Sequence, residues 1–424
     1  MNVLLVNQSD TVGGAARAAF RLHQGLQRKG ADYGVSAQML VQAKQSDEDK
    51  ISGTSAASGT GQAKRGLRLA LDQLPLKRYK QCSGAIFSPQ WVPDRMAAKV
   101  RAIDPDVINL HWINAGFIQI ETLSRFKKPI VWTLHDMWAF TGGCHYNQSC
   151  DRYQAQCGAC PHLGSSKGRD LSRRIWQRKQ RTFKNLPLTI VTPSVWLGAC
   201  AKKSSLLQDV RIECIPNGID TNIYRPINKR TARDLLQLPL DKKLLLFGSL
   251  KATSDQRKGF HLLQSALQEL SHSNLKADVE LVVFGASEPK EVPKFGFRTH
   301  YLGSFSDDLS LSLIYSAADA FVLPSVQENL ANTLLEALAC GTPCLAFDIG
   351  GMPDMIDHKE NGYLAIPFET SDLAEGITYL LSDSTLQSSF SMCARQKVAR
   401  QFSLEIQAKR YCSLFAEVNR EVST

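Results

Sequence analysis

The sequence of 424 residues contains no run of about 18 apolar residues, which sets aside a membrane-crossing helix. Met1–Asp10 has neither a basic leader nor a small-residue cleavage site, so the expectation is a cytoplasmic protein. Aromatic residues make up only 8%, and no basic stripe is interleaved with them in the way that stacks bases, so nucleic acid is not an expected partner. Neither charge sign dominates. Fifty Lys and Arg against 40 Asp and Glu give +10, a moderate excess that points to anionic partners without naming them. Eleven cysteines cannot all pair, and a reducing compartment would keep them as thiols, so a secreted disulfide framework is not expected.

What the sequence does have is a globular composition, 43% hydrophobic and 21% charged, in a chain long enough for two cores. Met1–Asn7 reads as a strand that runs into Gly13-Gly14 and a helix-like stretch from Ala15 to Lys29. Apolar bursts at Gly34–Val41, Val107–Leu110, Ile130–Leu134, Leu188–Thr192 and Arg211–Ile215 predict buried parallel strands. A turn-rich break from Pro216 to Pro226 follows, after which the pattern restarts with a strand at Lys243–Gly248 and a helix at Phe260–Leu270. Further strands are expected at Val279–Gly285, Ala320–Pro324 and Cys344–Phe347, with a helix at Thr333–Ala339. The fold class is therefore α/β, two doubly wound parallel-sheet domains: 1–220, with a Cys-rich insert at about 142–164, and 221–400. A final helix in 401–424 is expected to bury Leu404, Ile406, Tyr411, Leu414, Phe415 and Val418 as a stripe.

Ser46–Gly66, rich in Ser, Gly, Ala and Lys, is expected to be a mobile loop. Beyond it Lys64, Arg65, Arg68, Lys77, Arg78 and Lys80 are interleaved with leucines at 67, 69, 71, 74 and 76. We read this stretch as a solvated helix with one buried face in preference to a membrane-surface helix, which the same spacing also fits. A peripheral contact with the inner face of the cell membrane stays open.

The most informative stretch runs from Pro324 to Pro343. A strand ends at Pro324, a loop carries Glu328, and a helix carries Glu336, placing both carboxylates at the ligand edge of the sheet. Amides near Ala331, Asn332 and Thr333 open that helix and suit a phosphate. Two glutamates alone would be ordinary helix-end carboxylates. Here they are separated by seven residues and followed by Ala337-Leu338-Ala339-Cys340-Gly341-Thr342-Pro343, Gly350-Gly351-Met352-Pro353 and Asn361-Gly362-Tyr363-Leu364. The pattern resembles the donor-site signature of retaining glycosyltransferases of the GT-B fold, the group 1 family. Gly13-Gly14, Pro216-Asn217-Gly218-Ile219-Asp220 and Lys258-Gly259 also match, so the resemblance covers nearly the whole chain. Gly13 through Arg17, Thr133 through Trp138 and Gly143-Cys144-His145-Tyr146 are similar to a bacterial branch associated with surface-polysaccharide assembly.

The resemblance implies two Rossmann-like domains facing a cleft, with the acceptor held by the first and the nucleotide-sugar donor by the second, and a final helix that crosses back to the first domain. It gives Glu328 the donor sugar, Glu336 the ribose and Lys258 the diphosphate, whose leaving charge a fixed cation stabilises. Gly14, Arg257 and Leu330 through Thr333 complete the expected donor set: Gly14, Arg257, Lys258, Glu328, Leu330, Ala331, Asn332, Thr333 and Glu336. The family's usual arginine after the first strand of the second domain is replaced by Ser249, and Arg257, or less favourably Lys251, is the expected substitute. His135, with Lys258 and Glu328, is expected at the reacting centre, and Gly13, Arg17, His111 and Asp136 near the acceptor.

Cys144, Cys150, Cys157 and Cys160, the last two in a Cys-Gly-Ala-Cys pair, fit a structural zinc better than disulfides or unliganded thiols. No catalytic metal is expected. The function implied is a metal-independent, retaining hexosyltransferase acting on a glycan or lipid-linked acceptor in extracellular or surface polysaccharide biosynthesis. The competing reading is a non-catalytic nucleotide- or sugar-binding protein of the same fold.

Overall fold

The structure is a computed structural model that describes residues 1–55, 59–79, 86–248, 255–285, 296–305 and 307–423. The chain divides into two compact units, Met1–Asn217 with the residues from Gln407 onward, and Gly218–Ile406. Ser249, Lys251 and Lys80 lie outside the described residues.

In the first unit the strands are Asn2–Ser9 (β1), Ser36–Ala43 (β2), Ile51–Gly53 (β3), Val107–Leu110 (β4), Ile130–Thr133 (β5), Leu188–Thr192 (β6) and Arg211–Cys214 (β7). They form one parallel sheet in the order β3-β2-β1-β4-β5-β6-β7. Helices Gly14–Lys29 (α1), Gly59–Gln73 (α2), Met96–Ile103 (α3), Leu171–Phe183 (α4) and Val195–Lys203 (α5) connect them. Successive strand residues point to opposite faces, so Leu4 and Val6 join a core with Trp132, Trp138 and Trp176, while Val3 and Leu5 join one with Leu22 and Leu26. Both faces are covered, which is why these strands are apolar throughout.

The second unit holds Lys229–Leu236 (α6), Lys243–Gly248 (β8), Phe260–Leu270 (α7), Val279–Phe284 (β9), Thr299–Gly303 (β10), Asp308–Ala317 (α8), Ala320–Leu323 (β11), Asn332–Ala339 (α9) and Cys344–Phe347 (β12). It continues with Met352–Met355 (α10), Gly362–Ala365 (β13), Thr370–Ser382 (α11) and Ser384–Gln401 (α12). The sheet is again parallel, in the order β10-β9-β8-β11-β12-β13. In each sheet the strand order reverses beside the first strand, between β1 and β4 and between β8 and β11, and such points are where open α/β sheets bind ligands.

The last helix, Leu404–Ser423 (α13), begins in the second unit and continues into the first. There Tyr411, Phe415 and Val418 join the Val3 and Leu5 core, and the Tyr411 hydroxyl bonds Thr133 Oγ1 at 2.8 Å. Ile406 is only partly buried.

Two expectations are corrected. Ser46–Gly66 is not a loop throughout, because β3 pairs with Met39–Val41 of β2 and α2 begins at Gly59. A two-sided sheet can recruit three residues as an edge strand without an apolar run. Nor does α2 bury an apolar face: only Gly61 and Asp72 are buried on it, while Leu67 and Leu69 are 60% and 43% exposed. The two-residue spacing of its leucines spreads them around the helix instead of gathering them into a stripe.

Candidate functional site

At the switch point of the second sheet, the turns following β8, β11 and β12 meet around Glu328. Asp255 caps the short 3₁₀ turn Gln256–Lys258 by accepting from the Arg257 amide, and Gly259 ends it in the left-handed region at φ +71°. A Cβ on Gly259 would overlap the Pro324 carbonyl, so this glycine lets the turn lie against the loop after β11. The Val326 amide then donates to the Arg257 carbonyl at 2.9 Å, locking the two loops together.

Glu328 Oε2 accepts from Lys258 Nζ at 2.7 Å and Arg257 Nη1 at 3.0 Å, and Arg257 also donates to the Gln327 carbonyl. Glu328 is 8% exposed. Burial pushes its carboxyl upward, but the two cations outweigh that and hold its pKa down at about 2. Gly350, at φ +55°, passes so close to the Glu328 carbonyl that a side chain there would collide with it. Leu330 and Ala331 are buried, and Asn332 and Thr333 open α9, whose N-cap, Ala331, supplies no side-chain cap. Glu336, in the next turns, is 1% exposed and accepts from the Tyr315 hydroxyl at 2.9 Å. Arg257, Lys258 and Glu328 are thus brought together, while Glu336 sits deeper, against the helix core.

In the first unit Gly13 and Gly14 follow β1, His111 follows β4 and His135 follows β5, so adjacent strands deliver them to one edge of the sheet. Gly13 takes φ +95° in open space as the N-cap of α1, and Arg17 lies in that helix's first turn, its amide donating to the Gly13 carbonyl. The Asn109 side-chain amide donates to the Val131 carbonyl and Thr133 Oγ1, leaving Oδ1 to accept from His111 Nε2 at 3.0 Å. His111 Nδ1 is then an acceptor, and His135 Nε2, 3.0 Å away, carries the proton. This network makes Nδ1 the acceptor atom of His135. Burial lowers both histidines, His135 to about 4, so both are neutral at neutral pH.

Asp136 turns the other way. Its Oδ2 accepts from Trp112 Nε1 at 3.0 Å and pairs with His145 Nδ1 at 2.6 Å, and its Oδ1 accepts from the Trp138 amide. Burial raises its carboxyl, but His145 and these donors bring it below the usual range. His145 Nε2 lies 2.8 Å from Ser88 Oγ. Ser88 and Trp112 line a cleft of about 520 Å³ with Leu69, Leu76, Lys77 and Ile86. Sequence reasoning did not assign Ser88, Trp112 or Tyr315, whose partners lie 57, 24 and 21 positions away and left no local signal, nor Asp255, which an aspartate two residues before Arg257 at the start of a turn could have marked as a cap.

Cys144, Cys150, Cys157 and Cys160 are free thiols around one small cavity. Among the described residues, no three His, Cys, Asp or Glu side chains converge to hold a metal ion as they stand.

A family model described as Glycosyltransferase Family 4 matches residues 12–223, and one described as Glycosyl transferases group 1 matches residues 241–383. The chain belongs to the group 1 glycosyltransferases. Among characterised relatives of this group 1 chain, N-acetyl-alpha-D-glucosaminyl L-malate synthase of Bacillus anthracis is 33% identical over 108 residues, 26% of this chain and 28% of the relative. The chain spans only 28% and 57% of the lengths of the first relatives it matches. Sucrose-phosphate synthase from Thermosynechococcus elongatus shares the fold with a TM-score of 0.68 at 18% identity, over 98% of both chains. Anabaena HepE, solved with UDP and glucose, does so with a TM-score of 0.65 at 18% identity, over 98% of this chain and 100% of that one. These likenesses show the GT-B fold of two Rossmann-like parallel-sheet domains.

Proposed function

We propose that this group 1 glycosyltransferase moves a hexose from a nucleotide-sugar donor, of which UDP-glucose is the first to test, to an acceptor hydroxyl with retention of anomeric configuration. The observation that carries this reading is the convergence of Arg257, Lys258 and Glu328 at the switch point of the second sheet. Lys258 and Arg257 take the charge that develops on the leaving diphosphate, joined by the amides that open α9 at Asn332 and Thr333. Arg257 thereby fills the place of the family arginine absent at Ser249. Glu328 accepts from hydroxyls of the transferred sugar, and Glu336, oriented by Tyr315, from the ribose. Leu330 and Ala331 shape the floor of the site.

His135 offers Nδ1 as an acceptor for a sugar hydroxyl, held in that tautomer by His111 and Asn109. Gly13 and Gly14 keep the loop after β1 low enough for substrate to approach, with Arg17 beside it. The departing phosphate oxygen accepts the proton of the attacking hydroxyl as the new bond forms on the face the diphosphate leaves. The cleft beside Ser88 and Trp112, with leucine walls and Lys77 at its edge, favours a lipid-linked acceptor with an anionic head over a free glycan. Such an acceptor fits a role in surface-polysaccharide assembly at the inner face of a membrane. Among the described residues no helix is long and apolar enough to cross one.

A thermal-shift screen of UDP-, GDP- and dTDP-sugars, followed by an assay for release of the nucleoside diphosphate, tests this reading. A sugar nucleotide that raises the melting temperature and turns over supports it. Binding without release, with or without acceptor, favours the non-catalytic alternative, and no shift with any of them removes the donor site.

A further inference from the structure

We propose that Cys144, Cys150, Cys157 and Cys160 hold one structural zinc ion that braces the segment carrying His145. The four thiols line a single small cavity of about 10 Å³, and Cys144, Cys157 and Cys160 are each less than a tenth exposed. Disulfides would consume them in separate pairs, whereas four cysteines lining one space supply the set of donors that a closed tetrahedral zinc site uses.

The backbone is shaped for such a site. Gly158 and Ala159, between two of the cysteines, take φ +145° and +45°, which folds Cys157 and Cys160 into one tight turn. The Leu163 and Ser165 amides both donate to the Cys160 carbonyl, at 3.2 and 3.0 Å, which closes the turn behind this cysteine. Gly142 is required here, since its Cβ would lie 2.7 Å from the Cys157 Cβ, and this close approach brings the two arms of the insert together.

Charge supports the same conclusion. Four thiolates around a divalent ion carry a net charge of −2, which is costly in a core unless it is balanced. Lys179 is fully buried, with its Nζ 3.6 Å from the centre of the Trp138 ring and donating to the Trp138 and Thr141 carbonyls. Arg152 lines the cavity itself. The sulfurs do not converge as they stand, so closing the site requires the side chains to rotate to metal distance, about 2.3 Å.

The centre would act on position alone. Cys144 bridges to Phe87, the His145 amide donates to the Ile86 carbonyl, and the His145 carbonyl accepts from Met137. A metal holding Cys144 would therefore fix the bridged segment that sets His145 against Asp136 and Ser88.

The full chain, purified without a metal-affinity tag, should contain about one zinc by elemental analysis. After exchange with cobalt it should show thiolate-to-metal charge transfer and the strong visible bands of a tetrahedral site. Cys157→Ser and Cys160→Ser should lose the metal, and Cys393→Ser, in the other unit, should keep it. If the cavity variants fail to fold, cobalt titration of the reduced wild-type protein decides the matter. Absence of zinc together with no cobalt uptake, or a Cys157–Cys160 disulfide in the protein isolated without reductant, would overturn the proposal.

Discussion

Replacing Glu328 with Gln removes one charge from a site where two cations share it, so stability and transfer should fall while nucleotide binding holds or tightens. The carboxyl falls from 4.5 to about 2 on folding. At about 1.4 kcal/mol per unit this is ~3 kcal/mol in favour of the ionised form. Lys258 and Arg257 retain 16% and 24% exposure, so solvent absorbs part of that, and Glu328→Gln should lower unfolding free energy at pH 7 by ~1–3 kcal/mol. Because the folded pKa is depressed, the contribution is complete above pH 4.5 and is lost as pH falls toward 2, so the two proteins should converge in acid. The freed cations should bind UDP as tightly as before or tighter, as they no longer share their charge with a carboxylate. Transfer should nevertheless fall by on the order of a hundredfold, because the sugar loses its acceptor in the transition state. Urea denaturation across pH, calorimetry with UDP and a UDP-release assay measure the three effects. A variant that binds UDP tenfold more weakly yet turns over normally would refute this reasoning.

Lys258→Ala should weaken both UDP binding and transfer, the latter by on the order of a hundredfold, with circular dichroism unchanged. His135 and His111 refuse protons that the unfolded chain accepts near pH 6.5, so stability is complete above that value and declines as pH falls toward 4. At pH 5 the loss for His135 is on the order of 2 kcal/mol, and the urea midpoint of His135→Asn should depend less on pH over this range. Phe415→Ala should cost about 3–5 kcal/mol in the first unit, measured by denaturant unfolding, although it lies far along the chain from the strands it covers. Gly350→Ala should give a folded protein with transfer reduced by on the order of a hundredfold, since the new methyl displaces Glu328; unchanged turnover would show that the loop yields freely.

The central strands were readable in sequence because burial on both faces makes them apolar runs. Val107–Leu110, Leu188–Thr192, Lys243–Gly248 and Cys344–Phe347 have the bounds expected of them. The strands that sequence reasoning missed, Ile51–Gly53, Thr299–Gly303 and Gly362–Ala365, each lie at the edge of a sheet. An edge strand pairs on one side only and needs fewer apolar residues, so its sequence resembles a loop. The exposure of Leu67 and Leu69 was equally hidden, because a leucine spacing does not say whether another surface comes to cover it.

The candidate site divides along the same line. Glu328, Glu336 and Lys258 were legible because a motif fixes them on loops whose places follow from strand order. What those residues do to one another was not, because it depends on contacts across long stretches of chain. Lys258 meets Glu328 from 70 positions away, and Tyr315 meets Glu336 from another helix. The consequence is chemical: in the free chain both cations proposed for the diphosphate are already paired with the carboxylate proposed for the sugar, and Arg257 with Asp255 as well. Donor binding must therefore redistribute one set of charges, with the phosphates competing against Glu328 for Arg257 and Lys258. A sugar hydroxyl donating to Glu328 compensates the carboxylate for what the phosphates withdraw, so the two halves of the donor should bind cooperatively. UDP-sugar should then bind more tightly to the wild type than UDP does, and that advantage should vanish in Glu328→Gln.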